Sequence, residues 1–371
     1  MTIALFLLAI AFCLYTIAGY PLLLAVLARR GRPVKKSYQP RTISVLLPVR
    51  NGERWVARKL ESLLALNYPP NLIEILVVSD GSTDATDGIV KAFTDNPAVR
   101  LLKVPSGGKA QALNRALEEA RGEILFLTDV RQELSRDSLR NLVACFADPA
   151  VGAASGELMI RQGQTAGEAS VGLYWRYEKW IRTRQSRVDS VIGATGCVYA
   201  IRRELAKPLP PDTLADDMFL PLAAFLKGYR VLLDDSAQAF DDPTNLDTEF
   251  RRKVRTLAGV YQITRFYPAL LGSRNRMWLH FVSHKLARLG MPWALLVLAA
   301  TSLGLPHPWR LFALAGQAAF YGLAAVDGAV PESSFLKRAT SPARTFVVLM
   351  AAALCSVAIV FVPARKLWKT R

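Results

Sequence analysis

The sequence of 371 residues contains few of the residues that bind metal ions or form disulfides. It has only four cysteines, none of them in a CxxC pair, and three histidines. Structural zinc sites and disulfide frameworks need several such residues at short, regular spacings. Their scarcity argues against both. The sequence also contains no internal repeat and no low-complexity tract.

Acidic residues are scarce relative to basic ones. The chain has 30 Asp and Glu residues against 47 Lys and Arg residues, which gives a formal net charge of +17. The basic residues bracket apolar segments, whereas nucleic-acid-binding proteins arrange them in a stripe with interleaved aromatic residues. We therefore expect attraction to anionic membrane lipids and no nucleic-acid partner. Assembly into an oligomer is left open.

Charge is absent from Ile3 to Ala28. At 1.5 Å per residue, this run is long enough to cross a hydrocarbon core of about 30 Å. A signal peptide is the alternative, but its basic stretch would precede the apolar region. Here the basic cluster follows the apolar run. The order favours an uncleaved anchor whose C-terminal side is cytoplasmic.

The C-terminal part offers three more apolar segments, Leu289 to Leu305, Leu311 to Val326 and Thr345 to Ala364. Four spans with an outside N-terminus would place the basic tail of residues 365–371 outside, against the usual distribution of positive charge. We therefore expect two or three C-terminal spans, with one segment re-entrant or interfacial. The segment Arg265 to Lys285 mixes aromatic and basic residues, which suits helices lying in the headgroup layer.

Between the apolar ends, β-rich apolar runs alternate with segments of helical spacing. The predicted strands cover residues 42–49, 73–79, 99–104 and 123–128, and the predicted helices cover 55–65, 84–93 and 109–120. Further on, the pattern predicts a helix at 137–145, a strand at 151–160 and a long helix at 167–187. Four strands separated by helices predict an α/β fold whose mostly parallel sheet is covered on both faces.

Acidic residues recur where the predicted strands end or helices begin. Asp80 and Asp129 follow strands, and Asp216 and Asp217 stand together further along the chain. A single aspartate of this kind more often caps a helix or a turn. Ligands of parallel sheets, however, bind at the carboxyl ends of the strands. The recurrence of these acids beside Gly108-Lys109 therefore favours a nucleotide site.

The motifs around these carboxylates resemble, in order, those of the inverting glycosyltransferases of family 2, which have the GT-A fold. The resemblance covers about Ile43 to Tyr261 and extends to the membrane-embedded branch that includes cellulose, hyaluronan and poly-N-acetylglucosamine synthases. The matching segments are Pro48-Val-Arg-Asn51 with Glu53, Ser79-Asp80-Gly81-Ser82, Gly108-Lys109 with Ala112-Leu113-Asn114, Thr128-Asp129-Val130-Arg131 at the DxD position, Ala215-Asp216-Asp217 at the TED position, and Arg252-Lys-Val-Arg255-Thr256 at the QxxRW position.

This resemblance implies transfer from a nucleotide-sugar, expected to be a UDP-sugar, with inversion at the anomeric carbon. An acceptor hydroxyl needs a base to take its proton, and Asp217 is the candidate. The departing nucleoside diphosphate needs positive charge nearby. The residues implied for the nucleotide-sugar are Pro48, Asn51, Glu53, Asp80, Gly81, Lys109, Asp129 and Arg131. Those implied for the acceptor and the diphosphate are Asp216, Gly196, Arg252 and Arg255.

Two positions depart from the family pattern. Arg131 replaces the second acid of DxD, which is usually a metal ligand, and a guanidinium repels a divalent ion. Either Asp129 holds Mg²⁺ or Mn²⁺ together with phosphate oxygens, or Arg131 replaces the metal by pairing with the diphosphate. Thr256 replaces a tryptophan of the acceptor site, so we expect one or few sugar additions to a lipid-linked or membrane-associated glycan.

Two alternatives remain open at this point: a processive polysaccharide synthase, and an inactive nucleotide-binding subunit of a transferase complex. The resemblance implies a multi-pass protein of the cell inner membrane with a cytoplasmic catalytic domain. The expected order is an N-terminal transmembrane helix at 1–28, the GT-A domain at 29–262, interfacial helices at 263–288, and a C-terminal transmembrane region with a basic tail at 289–371.

Overall fold

The computed structural model of the protein describes residues 1–161 and 166–364. The chain divides into two compact units. The sheet unit contains Arg30–Arg161 and Arg182–Asp241, and the helical unit contains the described residues within Met1–Arg29, Gln162–Ile181 and Asp242–Arg371. The basic tail at 365–371, expected from the sequence, lies outside the described residues.

The described residues form strands and helices with the following bounds. The strands are β1 (Ile43–Val49), β2 (Ile73–Asp80), β3 (Val99–Val104), β4 (Ile124–Leu127), β5 (Glu133–Leu134), β6 (Val151–Ile160), β7 (Tyr199–Arg202) and β8 (Arg230–Asp241). The helices are α1 (Thr2–Leu14), α2 (Tyr20–Leu27), α3 (Val56–Leu64), α4 (Thr86–Lys91), α5 (Lys109–Glu119), α6 (Ser138–Cys145), α7 (Ala166–Val188), α8 (Asp216–Leu226), α9 (Leu246–Phe266), α10 (Trp278–Phe281), α11 (Ala287–Ser302), α12 (Trp309–Val326) and α13 (Lys337–Cys355).

One sheet of eight strands runs through the sheet unit, in the order β3-β2-β1-β4-β7-β6-β8-β5. The first four strands are parallel, with Ile43 of β1 opposite Ile73 of β2 and Ile124 of β4. In the second half β7 runs antiparallel to both β4 and β6, β8 is parallel to β6, and β5 is antiparallel to β8. The predicted α/β class is confirmed, with a sheet that is parallel in its first half and mixed in its second.

Helices cover both faces of this sheet. A continuous apolar cluster joins α3, α4 and α6 to alternate residues of the strands, among them Val45, Phe126 and Ala200. The helices α5 and α8 pack against the strands with other residues, including Ala112, Leu113 and Leu220. Because β1, β2 and β4 are parallel, their carboxyl ends meet at one edge of the sheet. The nucleotide site predicted from the sequence is expected at this edge.

In the helical unit, α1 packs against α11, α12 against α13, and α9 against α13. Three segments of the described chain are long and apolar enough to cross a membrane: Thr2–Arg30, Trp309–Ala329 and Lys337–Val360. The helix α11, which covers most of the apolar segment 289–305, is not among these three. The three segments are compatible with membrane association, and the predicted domain boundaries stay a prediction.

Several ionisable groups are buried inside the helical unit. The Nε2 atom of His284 lies 3.1 Å from a carboxylate oxygen of Glu178, which also pairs with Arg288. Burial lowers the pKa of His284 to about 3 against the opposing effect of Glu178. His284 is therefore neutral at physiological pH, and the charge of Glu178 is balanced by the guanidinium of Arg288.

We expect Gly122→Ala to destabilise the sheet unit. A Cβ atom at this position would lie 2.5 Å from the backbone nitrogen of Ser44 and 2.6 Å from the carbonyl carbon of Ile43. Backbone of a central strand has little freedom to move, so the loss should be about 1–3 kcal/mol. Thermal unfolding of the purified protein measures it.

The matched control is Gly88→Ala. Gly88 lies in α4, and no atom lies within 4 Å of the Cβ that alanine would add. Alanine stabilises an open helical position relative to glycine by about 0.5–1 kcal/mol. Equal melting temperatures for the two variants would contradict the packing that we describe around Gly122.

Candidate active site

The loops that follow β1 and β2 hold each other in place. Asn51 has a left-handed backbone with φ 49°, and its Oδ1 atom accepts a hydrogen bond of 2.9 Å from the backbone N–H of Thr83. Glu53 Oε2 accepts one of 3.0 Å from the N–H of Ala85. Pro48, opposite Val78 on β2, lies near the end of β1. The predicted nucleotide loop is therefore held by side chains that the sequence assigned to ligand binding.

Asp80 ends β2 and braces the entrance to α5. The residue is 4 % exposed, and its carboxylate accepts hydrogen bonds from the N–H groups of Gly107, at 2.7 Å, and Gly108, at 3.0 Å. Gly81, with φ +59°, allows the backbone after β2 to pass close to the backbone of Ser106. A Cβ atom at Gly81 would lie 2.8 Å from the backbone nitrogen of Ser106. Asp80 thus fixes the backbone that delivers Lys109.

Lys109 joins two of the predicted carboxylates. Its Nζ atom lies 2.9 Å from Asp129 Oδ1 and 3.1 Å from Asp216 Oδ2. Burial lowers the pKa of Lys109, but the negative charges of Asp129, Asp216 and Asp217 outweigh that effect and hold the pKa above its usual range. The ammonium group is therefore charged at all physiological pH values and forms the centre of an acidic cluster.

The first turn of α8 carries Asp216, which is buried, and Asp217, which is half-buried. The positive end of a helix dipole favours carboxylates at this position. Gly196 leaves room for Asp217, since a Cβ there would lie only 3.2 Å from Asp217 Oδ2. Arg182 holds the Gly193 to Gly196 turn by a hydrogen bond of 2.9 Å to Thr195 Oγ1. The sequence analysis did not predict that Arg182 contacts this turn.

Arg131 pairs with Asp241 at the end of β8. The same carboxylate oxygen accepts a hydrogen bond of 2.8 Å from Gln132 Nε2. The side chain of Arg131 is 44 % exposed, whereas that of Asp241 is 6 % exposed. Asp241 therefore tethers the guanidinium at the rim of the sheet unit and leaves part of its donors accessible.

The described side chains do not supply a full set of ligands for a metal ion. Among residues 1–161 and 166–364, no three His, Cys, Asp or Glu side chains are grouped so that they could hold a metal ion. Asp129 is paired with the ammonium of Lys109, and Arg131 stands where a second acid would be needed. The side chains present do not fit a divalent ion held by protein carboxylates.

A buried lysine contacts the turn that follows β4 from the core of the sheet unit. Lys59 of α3 is 2 % exposed, and its Nζ atom donates hydrogen bonds of 2.7 Å to Thr128 Oγ1 and to the carbonyl oxygen of Gln132. It thereby spans the turn that carries Asp129. A signal was present in the sequence, since Lys59 interrupts the apolar stripe of Val56, Leu60 and Leu63 at a position that faces the core.

The structure thus brings together Asp80, Lys109, Asp129 and the Asp216-Asp217 pair at one edge of the sheet. Arg252 and Arg255 lie on α9 in the helical unit, where the guanidinium of Arg252 stacks 4.6 Å from the ring centre of Trp175. The roles of all these residues stay predictions.

We expect the burial of Lys59 to appear as a pH dependence of stability. Burial lowers the pKa of Lys59 from 10.5 to about 8, so the unfolded chain holds the proton more tightly between these two pH values. The free energy of unfolding of the wild type should therefore rise with pH across this window relative to Lys59→Met, by an amount on the order of 3 kcal/mol.

Denaturant unfolding at several pH values measures this difference, from about pH 7, which lies below both pKa values, up to 10.5. Lys91→Met is the control, because the same substitution is made there at an exposed lysine. A wild-type curve parallel to that of Lys59→Met would mean that Lys59 is solvated.

Comparison with known proteins assigns the family. The model of glycosyl transferase family 2 matches residues 44–209, and that of glycosyl transferase family group 2 matches residues 130–326. The chain is 25% identical over 240 residues to a probable glycosyltransferase of Bacillus subtilis, covering 60% of this chain and 56% of that protein. It is 32% identical over 222 residues to the beta-monoglucosyldiacylglycerol synthase of Nostoc, covering 56% of this chain and 47% of that one. The chain spans about half the length of these relatives.

A solved structure is similar over nearly the whole chain. It is a mannosyltransferase from Pyrobaculum calidifontis in complex with GDP-Man and Mn²⁺, with a TM-score of 0.75, 25% sequence identity, and coverage of 99% of this chain and 100% of that one. The sheet order, the motifs and these matches agree. The chain belongs to glycosyltransferase family 2 and has the GT-A fold.

Proposed function

We propose that this protein transfers a sugar from a nucleotide-sugar to a lipid-linked or membrane-associated glycan acceptor, with inversion and in one or few additions. The observation that carries the proposal is the pairing of Lys109 with both Asp129 and Asp216, beside Asp217. A charged ammonium at the carboxyl edge of a parallel sheet suits a diphosphate. The adjacent carboxylate suits an incoming alcohol.

Asp217 acts as the base in this proposal. As the acceptor oxygen attacks the anomeric carbon, its proton passes to Asp217, and the bond from that carbon to the diphosphate oxygen breaks. The contact between Gly196 and Asp217 supports the assignment, because a Cβ atom at position 196 would lie 3.2 Å from Asp217 Oδ2 and crowd the carboxylate. Inversion follows from a single displacement with the acceptor and the diphosphate on opposite faces of the sugar.

The donor is a nucleoside diphosphate sugar. We expect a UDP-sugar from the resemblance to the polysaccharide synthases, and the GDP-Man bound to the similar mannosyltransferase makes GDP-mannose the first alternative. The interlocked loop that contains Asn51 and Glu53 would shape the nucleoside pocket. Lys109 and the exposed donors of Arg131 would balance the charge of the diphosphate.

We further propose that these two cations replace a divalent metal. The alternative is that Asp129 binds Mg²⁺ or Mn²⁺ together with phosphate oxygens of the donor, as the Mn²⁺ in the similar structure suggests. The pairing of Asp129 with Lys109 and the guanidinium of Arg131 support the cation arrangement.

Removal of divalent metal ions by a chelator distinguishes the arrangement with two cations from the arrangement with a bound metal ion. With EDTA in the assay, we expect sugar transfer to continue at close to its untreated rate, because Lys109 and Arg131 are permanent charges. Transfer is measured by the nucleoside diphosphate released, with and without added Mn²⁺. Complete loss with EDTA that Mn²⁺ or Mg²⁺ restores would contradict the proposal.

The acceptor is expected to be held by a membrane. The apolar segments of the helical unit and the similarity to a glucosyldiacylglycerol synthase support a lipid-linked acceptor at the cytoplasmic face of the inner membrane. Thr256 offers no aromatic face, and its hydroxyl bonds to the carbonyl oxygen of Arg252 on the same helix. A long glycan chain would therefore lack this stacking surface, which argues against a processive synthase.

We expect Asp217→Asn to abolish transfer while nucleotide binding persists. Removing a general base lowers the rate by about 100- to 10,000-fold. Purified protein is incubated with UDP- and GDP-sugars and membrane lipid extracts, and mass spectrometry identifies what gains a hexose. Asp95→Asn, a change at an exposed residue, is the matched control.

Three other outcomes of this assay would contradict the proposal, each in a different way. A wild-type protein that binds nucleotide but neither transfers nor hydrolyses any donor would support the inactive subunit. A long polymer made from one donor would support the processive synthase. Full activity in Asp217→Asn would refute the assigned base.

A further inference from the structure

Tyr199 is a fully buried polar residue of the sheet unit. It is the first residue of β7, its side chain is 0 % exposed, and its hydroxyl has no hydrogen-bond partner among the described residues. A buried hydroxyl without a partner destabilises the folded state. Phenylalanine would fill the same space without that penalty, so packing alone does not explain a tyrosine here.

The position of Tyr199 links it to the carboxylates of the site. Its neighbours Val198 and Ala200 belong to the apolar cluster on one face of the sheet, so Tyr199 points to the opposite face. β7 contacts α8, the helix that begins at Asp216. Tyr199 is also opposite Leu127 on β4, two residues before Asp129. Burial raises the pKa of Tyr199, and the charges of Asp216, Asp217 and Asp129 raise it further.

Asp216 is the second group with an incomplete set of partners. Its Oδ2 atom is buried and makes no hydrogen bond within the described chain, although the ammonium of Lys109 lies 3.1 Å away. Lys109 is therefore the counter-charge of Asp216 without satisfying it fully. A diphosphate carries more negative charge than one carboxylate, so it would draw the ammonium away from Asp216.

We propose that Tyr199 is a positioning residue whose hydroxyl donates a hydrogen bond to Asp216 when a bound nucleoside diphosphate draws Lys109 away. The inference rests on the proposed function, since it requires a diphosphate at Lys109. It gives the unpaired hydroxyl a partner in the state that binds the donor. It also gives the buried carboxylate of Asp216 a donor in place of the ammonium of Lys109.

The first test compares nucleotide affinity between the wild type and Tyr199→Phe. UDP and GDP are titrated into each protein and the heat of binding is measured. Hydrogen bonds to charged groups are strong, so the affinity of the phenylalanine variant should fall by about 10- to 100-fold. Its melting temperature without nucleotide should stay equal to that of the wild type or rise. Tyr38→Phe is the matched control, because Tyr38 packs against the other face of the sheet.

The second test is a double-mutant cycle with Asp216→Ala. If the hydroxyl acts through Asp216, Tyr199→Phe should change the nucleotide affinity of the Asp216→Ala protein little. An equal loss in both backgrounds would overturn the inference, as would an unchanged affinity in Tyr199→Phe alone. A wild type that binds neither UDP nor GDP would contradict the proposed function as well, whereas normal wild-type binding with an unaltered variant contradicts only this inference.

A third measurement needs no nucleotide and no Asp216 variant. In Lys109→Met the ammonium is gone, so Tyr199 should bond to Asp216 in the free protein. Tyr199→Phe should then lower the melting temperature in the Lys109→Met background but not in the wild type. The same response in both backgrounds would refute the proposed exchange of partners.

Discussion

The ion pairs between Lys109 and the two carboxylates of Asp129 and Asp216 are the interaction on which this site depends. They connect three separate elements of the chain: the start of α5, the turn after β4 and the start of α8. Two negative charges this close would repel each other without a cation between them. Because Asp80 fixes the backbone just before Lys109, the position of the ammonium is set by the loop as well as by the charges.

The surroundings of this cluster contain buried polar groups that do not favour stability. Lys59 holds a positive charge inside the core. Within residues 1–161 and 166–364, Asp216 Oδ2 and the hydroxyl of Tyr199 make no hydrogen bond. Each of these features destabilises the free protein, and a core of apolar residues would avoid all three. Such features concentrate where a ligand completes the arrangement. The continuous apolar cluster on the other face of the sheet supplies the stability that tolerates them.

The strands β1 and β4 could be read from the sequence because they are buried on both sides and therefore appear as unbroken apolar runs, such as Ile43–Val49. The strand β8 could not, because Asp234 and Asp235 interrupt its pattern. Asp234 is nevertheless 2 % exposed, since Lys36 pairs with it at 3.0 Å from a segment far away in the chain. The antiparallel direction of β7 could not be predicted from the sequence either, because it depends on which strands pair and not on composition.

The sequence by itself determined the family, the order of the motifs, the acids that gather at the sheet edge, and the apolar segments at both ends. These properties depend on residue type and spacing, and both are local. Only the tertiary structure decided how the charges are shared: that Asp80 braces a loop, that Asp241 pairs with Arg131, and that Lys59 and Tyr199 are buried. A side chain's partners come from strands and helices distant in sequence, and the folded chain alone brings these within hydrogen-bonding distance.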